Sequence, residues 1–153
     1  MTNIIRTSSD NQDFQTLVKQ LDDYLAIKDG NEHSFYAQYN KIDKIKNVVV
    51  YYDNNIAIGC GAFKQYDAKT IEIKRMFVHP NHRSKGIGAI ILNELETWAK
   101  ELNYSDSILE TGKRQPEAIH LYQKAGYKII PNYGQYTNVE NSVCMRKLIK
   151  VSF

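Results

Sequence analysis

The chain has little of what staples, anchors or addresses a protein. Its 153 residues include two cysteines, Cys60 and Cys144, far apart and without CxxC spacing, which excludes a disulfide framework and a cysteine-based zinc site. No run of apolar residues reaches the length of a membrane span, and Met1 to Phe14 alternates polar and apolar residues where a signal peptide needs a continuous apolar core. Twenty Lys and Arg against seventeen Asp and Glu leave a net charge of +3, too small for a nucleic-acid or polyanion surface. Internal repeats, low-complexity stretches and linkers are also missing. The expectation is a cytoplasmic protein of one domain, residues 1–153, without a membrane or nucleic-acid partner. A chain of this length can bury roughly 70% of its unfolded surface, so a single core suffices without a metal or disulfide.

Periodicity supplies the elements. Asn3 to Thr7 reads as a short strand. Phe14, Leu17, Val18, Leu21 and Leu25 fall at helical spacing, opened by the cap cluster Ser8, Ser9, Asp10 and closed by Asp29-Gly30. Phe35, Tyr36, Tyr39 and Ile42 suggest a shorter second helix. From Asn47 the period changes to that of an antiparallel series: Val48 to Tyr52, a turn at Asp53-Asn54-Asn55, Ile56 to Phe63, a turn near Asp67, and Thr70 to Val78. In the last strand Ile71 and Ile73 alternate, yet Met76 and Val78 then take the apolar positions and Arg75 falls out of pattern. The register slips, which predicts a β-bulge at Lys74 to Met76. A long amphipathic helix beginning near Gly86 carries Ile87, Ile91, Leu95, Trp98 and Leu102. A strand at Ser107 to Thr111 follows, then a helix with Pro116 in its first turn and Gly126 as its stop, and strands near Tyr127 to Ile130 and Val143 to Ile149. The loop from Pro131 to Asn141 is the longest stretch without clear structure. Cys60, in the apolar run Ile56 to Phe63, reads as a buried thiol.

The stretch richest in chemistry is Val78-His79-Pro80-Asn81-His82-Arg83-Ser84-Lys85-Gly86-Ile87-Gly88: a strand end, a basic glycine-containing turn and a helix start. A helix N-terminus offers free N–H groups and a partial positive charge, glycines let a ligand approach the backbone, and Arg83 and Lys85 add fixed charge. That combination suits a phosphate, although a basic turn that merely caps a helix has the same composition. A Walker A loop is excluded because the lysine precedes the glycine in Ser84-Lys85-Gly86. A dinucleotide fingerprint is excluded because position 91 is isoleucine and the preceding strand closes an antiparallel series.

The spacing Arg83, Gly86, Gly88 resembles the pyrophosphate-binding loop of the GCN5-related N-acetyltransferase (GNAT) superfamily. Downstream, Gln115-Pro116-Glu117-Ala118-Ile119-His120-Leu121-Tyr122-Gln123-Lys124-Ala125-Gly126-Tyr127 resembles that family's second signature, in the family's order and spacing. The resemblance covers Asn47 to Ile130 well and extends loosely to both ends. It implies an α/β (α+β) fold: a mixed, mostly antiparallel sheet with helices on both faces and a pair of strands that splay apart beside a bulge. It further implies acetyl-CoA as co-substrate and no metal. The amides of Arg83, Ser84, Lys85, Gly86, Ile87 and Gly88 would hold its pyrophosphate, and the main chain of Met76, Phe77 and Val78 its pantetheine. Gln115 stands where the family usually has an Asn that contacts the cofactor arm.

Acetyl transfer to an amine poses two proton problems. At pH 7 an alkylammonium with pKa about 10.4 is neutral only about once in 2,500 molecules, a penalty near 4.6 kcal/mol that a base must offset. At the other end a thiolate must leave, which a nearby hydroxyl can assist. On pattern alone Tyr122 reads as a core residue; the resemblance gives it the role of that acid. Glu110, twelve residues earlier at a strand end, is the favoured base, a spacing similar to family members acting on protein N-termini, and Glu72 is the second choice. Either carboxylate could instead be structurally paired, with Lys74, Arg75 or Lys113 as neighbours. His79, His82 and His120 fall on solvated turns and helix faces, and direct attack in a ternary complex leaves Cys60 and Cys144 no role. Tyr133, Gly134, Gln135 and Tyr136, in a chain with eleven tyrosines, could line an aromatic acceptor pocket or serve as surface contacts. The expected activity is acetylation of a primary amine, small-molecule for preference. A protein N-terminal or lysine acceptor and a non-catalytic acyl-CoA sensor are the alternatives, and a homodimer is expected by analogy with the family.

Overall fold

The computed structural model describes residues 1–29 and 44–150. The shorter helix expected around Phe35 to Ile42 lies outside the described residues. Seven strands form one sheet in the order β1-β2-β3-β4-β5-β7-β6. They are β1 (Thr2–Thr7), β2 (Asn47–Asp53), β3 (Ile56–Gln65), β4 (Thr70–Val78), β5 (Asp106–Gly112), β6 (Lys128–Ile130) and β7 (Ser142–Leu148), with helices α1 (Gln12–Asp29), α2 (Ile87–Glu101) and α3 (Pro116–Lys124). Every neighbouring pair is antiparallel except β4 with β5, which is parallel. This is the mixed, mostly antiparallel sheet that the resemblance implied. No helix among the described residues is long and apolar enough to cross a membrane.

Local chemistry explains the element ends. The β2–β3 hairpin turns through Asn54 and Asn55, both with positive φ (50° and 67°), the geometry of a two-residue turn whose twist matches its strands. The start of α1 differs from expectation: Asn11, rather than the Ser8-Ser9-Asp10 cluster, caps it, its Oδ1 accepting the Phe14 N–H at 2.9 Å. Ser9 instead ties the chain to the following segment, its Oγ accepting the Ile45 N–H at 2.9 Å. Gly126 closes α3 at φ 103°, as a C′ glycine should.

The helices cover both faces. On one side α1 buries Phe14, Leu17, Val18 and Leu21 against Val48, Val50, Cys60, Ala62 and Phe77. On the other, α2 buries Ile87, Ile91, Leu92 and Leu95 against Val49, Phe63, Ile71 and Ile73, with α3 packed beside it. Each such side chain contributes about 1.5–3 kcal/mol when removed from water. Gly59 and Gly61 of β3 let α2 lie close, since a Cβ at Gly61 would stand 2.8 Å from Leu95 Cδ1 and 2.6 Å from Met76 Sδ.

The bulge lies where the alternation broke. Ala62 pairs with Lys74 and Cys60 with Phe77, so β4 carries one residue more than β3 across this step, and Arg75 adopts φ 58°. The extra residue reverses the facing of the strand: Ile71 and Ile73 join the α2 core, whereas Phe77 joins the α1 core. On its other edge β4 pairs with β5 only through Thr70, Ile71 and Glu72. Beyond Glu72 the two strands part, and the opening between them is the site.

Candidate functional site

The cleft is walled by Ile73, Lys74, Arg75 and Met76 of β4 and by Glu110, Thr111 and Gly112 of β5. Gln115 at the N-cap of α3, Ala118 and Tyr122 of α3, Leu21 and Leu25 of α1, and Tyr136 from the loop after β6 complete the lining. The parting strands therefore bring together Tyr122, Glu110, Gln115 and Met76 out of the residues that the sequence singled out. Phe77 and Val78 do not line it: the Phe77 side chain enters the α1 core, and Val78 uses its carbonyl to accept the Arg83 Nε–H at 3.0 Å.

Tyr122 is 7% exposed, and its ring stands edge-on to Tyr127 with centroids 5.9 Å apart. Burial, and secondarily the charge of Glu110, raise its pKa well above that of an ordinary phenol, so the hydroxyl holds its proton through the neutral range. Glu110 receives a hydrogen bond from Ser142 Oγ at 2.8 Å, which orients its carboxylate. Tyr136, 1% exposed, also has its pKa raised, first by burial and then by Glu110 and Glu72.

Glu72 is placed differently. It stands on the last paired rung of β4, accepts a hydrogen bond from Tyr133 Oη at 2.6 Å, and has Lys74 Nζ at 3.4 Å. Of the neighbours considered for it, Lys74 is the one that pairs, while Arg75 turns to Asp22. Burial, then the Glu72 carboxylate, raise the Tyr133 pKa, so this phenol too stays protonated. The two thiols are unsuited to attack, since burial pushes Cys60 up to about 12 and Cys144 up to about 11. No group of three His, Cys, Asp or Glu side chains able to hold a metal occurs among the described residues.

Beyond β4 a single 3₁₀ turn, Pro80–His82, capped by His79 Nδ1, leads into the basic loop. Ser84 (φ 66°) and Gly86 (φ 78°) both take left-handed conformations, and Gly86 is the N-cap of α2 without a side-chain cap. The opening N–H groups of α2 are thus left for an anion, while Gly88 permits close packing, since a Cβ there would stand 3.1 Å from Leu121 Cδ2. Residues 83–86 are exposed. The Arg83 guanidinium folds back, 4.6 Å from the centroid of the Tyr24 ring, so the loop's readiness for a phosphate rests on backbone N–H groups and Lys85 more than on Arg83. These residues fit a pyrophosphate.

Several residues in and beside the cleft escaped sequence reasoning. Ser142 carries no motif, and Leu21 and Leu25 read only as core. Arg75 left one signal, a charge at a position where the alternation called for an apolar residue.

The family model described as acetyltransferase (GNAT) matches residues 11–127. Among characterised and catalogued proteins, the chain is 36% identical over 91 residues to an IAA acetyltransferase of Azospirillum brasilense, covering 59% of this chain and 60% of that protein. It is 33% identical over 105 residues to the Xenopus tropicalis protein named Probable N-acetyltransferase 14, covering 67% of this chain and 51% of the relative. The chain thus spans between half and two thirds of the length of these relatives. A crystal structure of a candidate acyl-CoA N-acyltransferase from Klebsiella pneumoniae matches 98% of this chain and 99% of its own at a TM-score of 0.82 and 26% identity. The fold is shared with an Elizabethkingia anophelis GNAT acetyltransferase solved with acetyl-CoA bound, at a TM-score of 0.67 and 19% identity over 96% of this chain and 97% of that one.

Proposed function

The chain belongs to the GNAT acetyltransferase family, and we propose that it transfers the acetyl group of acetyl-CoA to a primary amine of a small molecule, by direct attack in a ternary complex. The observation that carries this reading is the meeting of Tyr122 and Glu110 in the cleft where β4 and β5 part. The backbone of Ser84 to Gly88 and Lys85 hold the pyrophosphate at the uncapped start of α2. Met76 and Gln115, both on the cleft wall, flank the arm that reaches inward, and Phe77 and Val78, which continue β4 from Met76 toward the loop, offer it main-chain groups only.

Acetyl-CoA supplies an activated acyl group on sulfur. Glu110, oriented by Ser142, takes the proton that the ammonium must lose. The amine nitrogen forms its bond to the acyl carbon as the carbon–sulfur bond breaks, Tyr122 gives its proton to the departing sulfur, and the second proton that the nitrogen sheds on becoming an amide restores the Tyr122 phenol. Glu110 rather than Glu72 is the base in this reading, because Glu72 is already engaged by Tyr133 and Lys74 and lies off the cleft wall.

Thermal unfolding with and without acetyl-CoA, followed by thiol release with a panel of amines and peptides, tests the reading. A ligand at 100 times its Kd stabilises by about 2.7 kcal/mol. A shift with thiol release on small amines supports the proposal, and release on peptides alone moves the acceptor to protein amines. A shift with no release on any acceptor makes the chain a sensor, and no shift at saturating acetyl-CoA removes the co-substrate and the function with it.

A further inference from the structure

Arg75 carries two energetic costs on one residue. Its backbone is held at φ 58°, a conformation unfavourable for any residue with a Cβ. Its side chain is only 4% exposed, and while Nη1 donates to Asp22 Oδ1 at 2.8 Å, Nη2 is buried and finds no acceptor among the described residues. A buried charged donor without a partner is destabilising in its own right. Anchoring α1 through Asp22 accounts for Nη1 and leaves Nη2 unused. The residue forms part of the cleft wall, with Lys74 beside it and Glu110 on the facing strand. A guanidinium with one Nη engaged and the other unsatisfied is matched to a carboxylate oxygen, the partner whose geometry and charge it complements.

We infer that Arg75 binds a carboxylate on the acceptor, so that the molecule acetylated is an amino-acid-like amine, its ammonium directed to Glu110 and its carboxylate to Nη2 of Arg75. This rests on the acetyl-transfer reading above and narrows it. Lys74, whose ammonium lies 3.4 Å from Glu72, adds positive potential on the same wall.

The test is steady-state thiol release from acetyl-CoA with each common amino acid, its amide and its decarboxylated amine. The acid is expected to have the higher kcat/KM by about ten- to a hundredfold, the range for a hydrogen bond to a charged group, with the difference lying in KM. In Arg75→Gln the acid and the amide become equal, whereas in Asp22→Asn, which loosens the anchor and keeps the guanidinium, the preference for the acid persists. Equal loss of preference in both variants makes Arg75 an anchor of α1 and overturns the inference. Should Arg75→Gln fail to show an acetyl-CoA-dependent thermal shift, the parent's discrimination between acid and amide decides alone, and its absence overturns the inference. A gain on replacing acetyl-CoA by succinyl-CoA with a decarboxylated amine, lost in Arg75→Gln, moves the carboxylate to the acyl donor and overturns it equally. Amines turned over without preference for the acid refute this inference and leave acetyl transfer standing; no turnover of any amine refutes both.

Discussion

Replacing Tyr122 by phenylalanine removes one oxygen atom from the cleft and isolates the acid. The ring is 7% exposed and packed edge-on against Tyr127, contacts that phenylalanine reproduces. Loss of the hydroxyl alone leaves these ring contacts in place. Stability is therefore expected to change by less than about 1 kcal/mol, a Tm shift of at most about 2–4 °C for a chain of this size. Activity is another matter. A positioned general acid is worth about 10²–10⁴ in rate, or about 2.7–5.4 kcal/mol of barrier.

The assay is thiol release at saturating amine, beside acetyl-CoA affinity from ligand-dependent unfolding. Y122F should lose that factor in kcat while binding acetyl-CoA within about threefold of the parent, since the interaction deleted develops only as sulfur departs. The pH profile adds a second constraint. Burial and Glu110 hold the Tyr122 proton to a pKa above the usual 10, so the residue is protonated throughout pH 6–9. The substitution should lower the whole profile without deleting an alkaline limb. A kcat within about threefold of the parent, in a protein that still folds, would remove Tyr122 from the chemistry and return it to the core.

Glu110→Gln should lower kcat/KM at pH 7 by about 10²–10⁴ and recover as pH approaches the amine's own pKa, whereas Glu72→Gln should lose less than about tenfold; the reverse ranking would exchange their roles. Gly61→Ala places a Cβ 2.6 Å from Met76 Sδ and 2.8 Å from Leu95 Cδ1; overpacking of about 1–3 kcal/mol should lower Tm by roughly 3–10 °C in calorimetry and weaken acetyl-CoA binding by pressing Met76 toward the cleft. Alkali should destabilise the fold. Tyr122, Tyr127, Tyr133 and Tyr136 have their pKa raised in the folded state, and Cys60 and Cys144 are pushed up to about 12 and about 11. The unfolded chain therefore loses these protons first. Stability is retained below about pH 8.5 and falls as pH rises through the folded values, by up to about 1.4 kcal/mol per pH unit for each group. An unchanged urea midpoint between pH 8 and pH 10.5, followed by circular dichroism, would contradict it.

How much of this was legible in the sequence depended on the range of the interactions involved. Strand alternation, the Asn54-Asn55 turn and the Gly126 stop are local, and they were readable because neighbouring residues decide them. The bulge was readable for the same reason, since an inserted residue breaks a period of two wherever it falls. The cap of α1 was misplaced because Ser9, an equally good capping type, forms a bond to Ile45 thirty-six residues away. Glu110 was favoured over Glu72 in the sequence only through its spacing to Tyr122, because both are polar positions on neighbouring strands. Their difference arises from where β4 and β5 stop pairing, a tertiary fact. The exact use of Tyr136 was hidden likewise: a tyrosine in an unstructured-looking loop proved 1% exposed, because a 3₁₀ turn at Gly134–Tyr136 folds it onto the sheet.

The bulge links these observations. Were β4 regular, Arg75 would follow Ile73 into the α2 core, where a guanidinium has no partner, and the strand would have no evident reason to leave β5. One extra residue turns Arg75 toward Asp22 on α1 and sends Phe77 after it, so the apolar pattern is satisfied on opposite faces before and after the step. The left-handed φ at Arg75 costs about 1–2 kcal/mol, a cost offset by the pair with Asp22 and by Phe77 entering the α1 core at 5% exposure. Deleting Arg75 outright should then make β4 regular, with Met76 still on the α2 face opposite Gly61 and Phe77 still on the α1 face, so the deletion removes the step at the mouth of the cleft, whereas substituting the same residue keeps it.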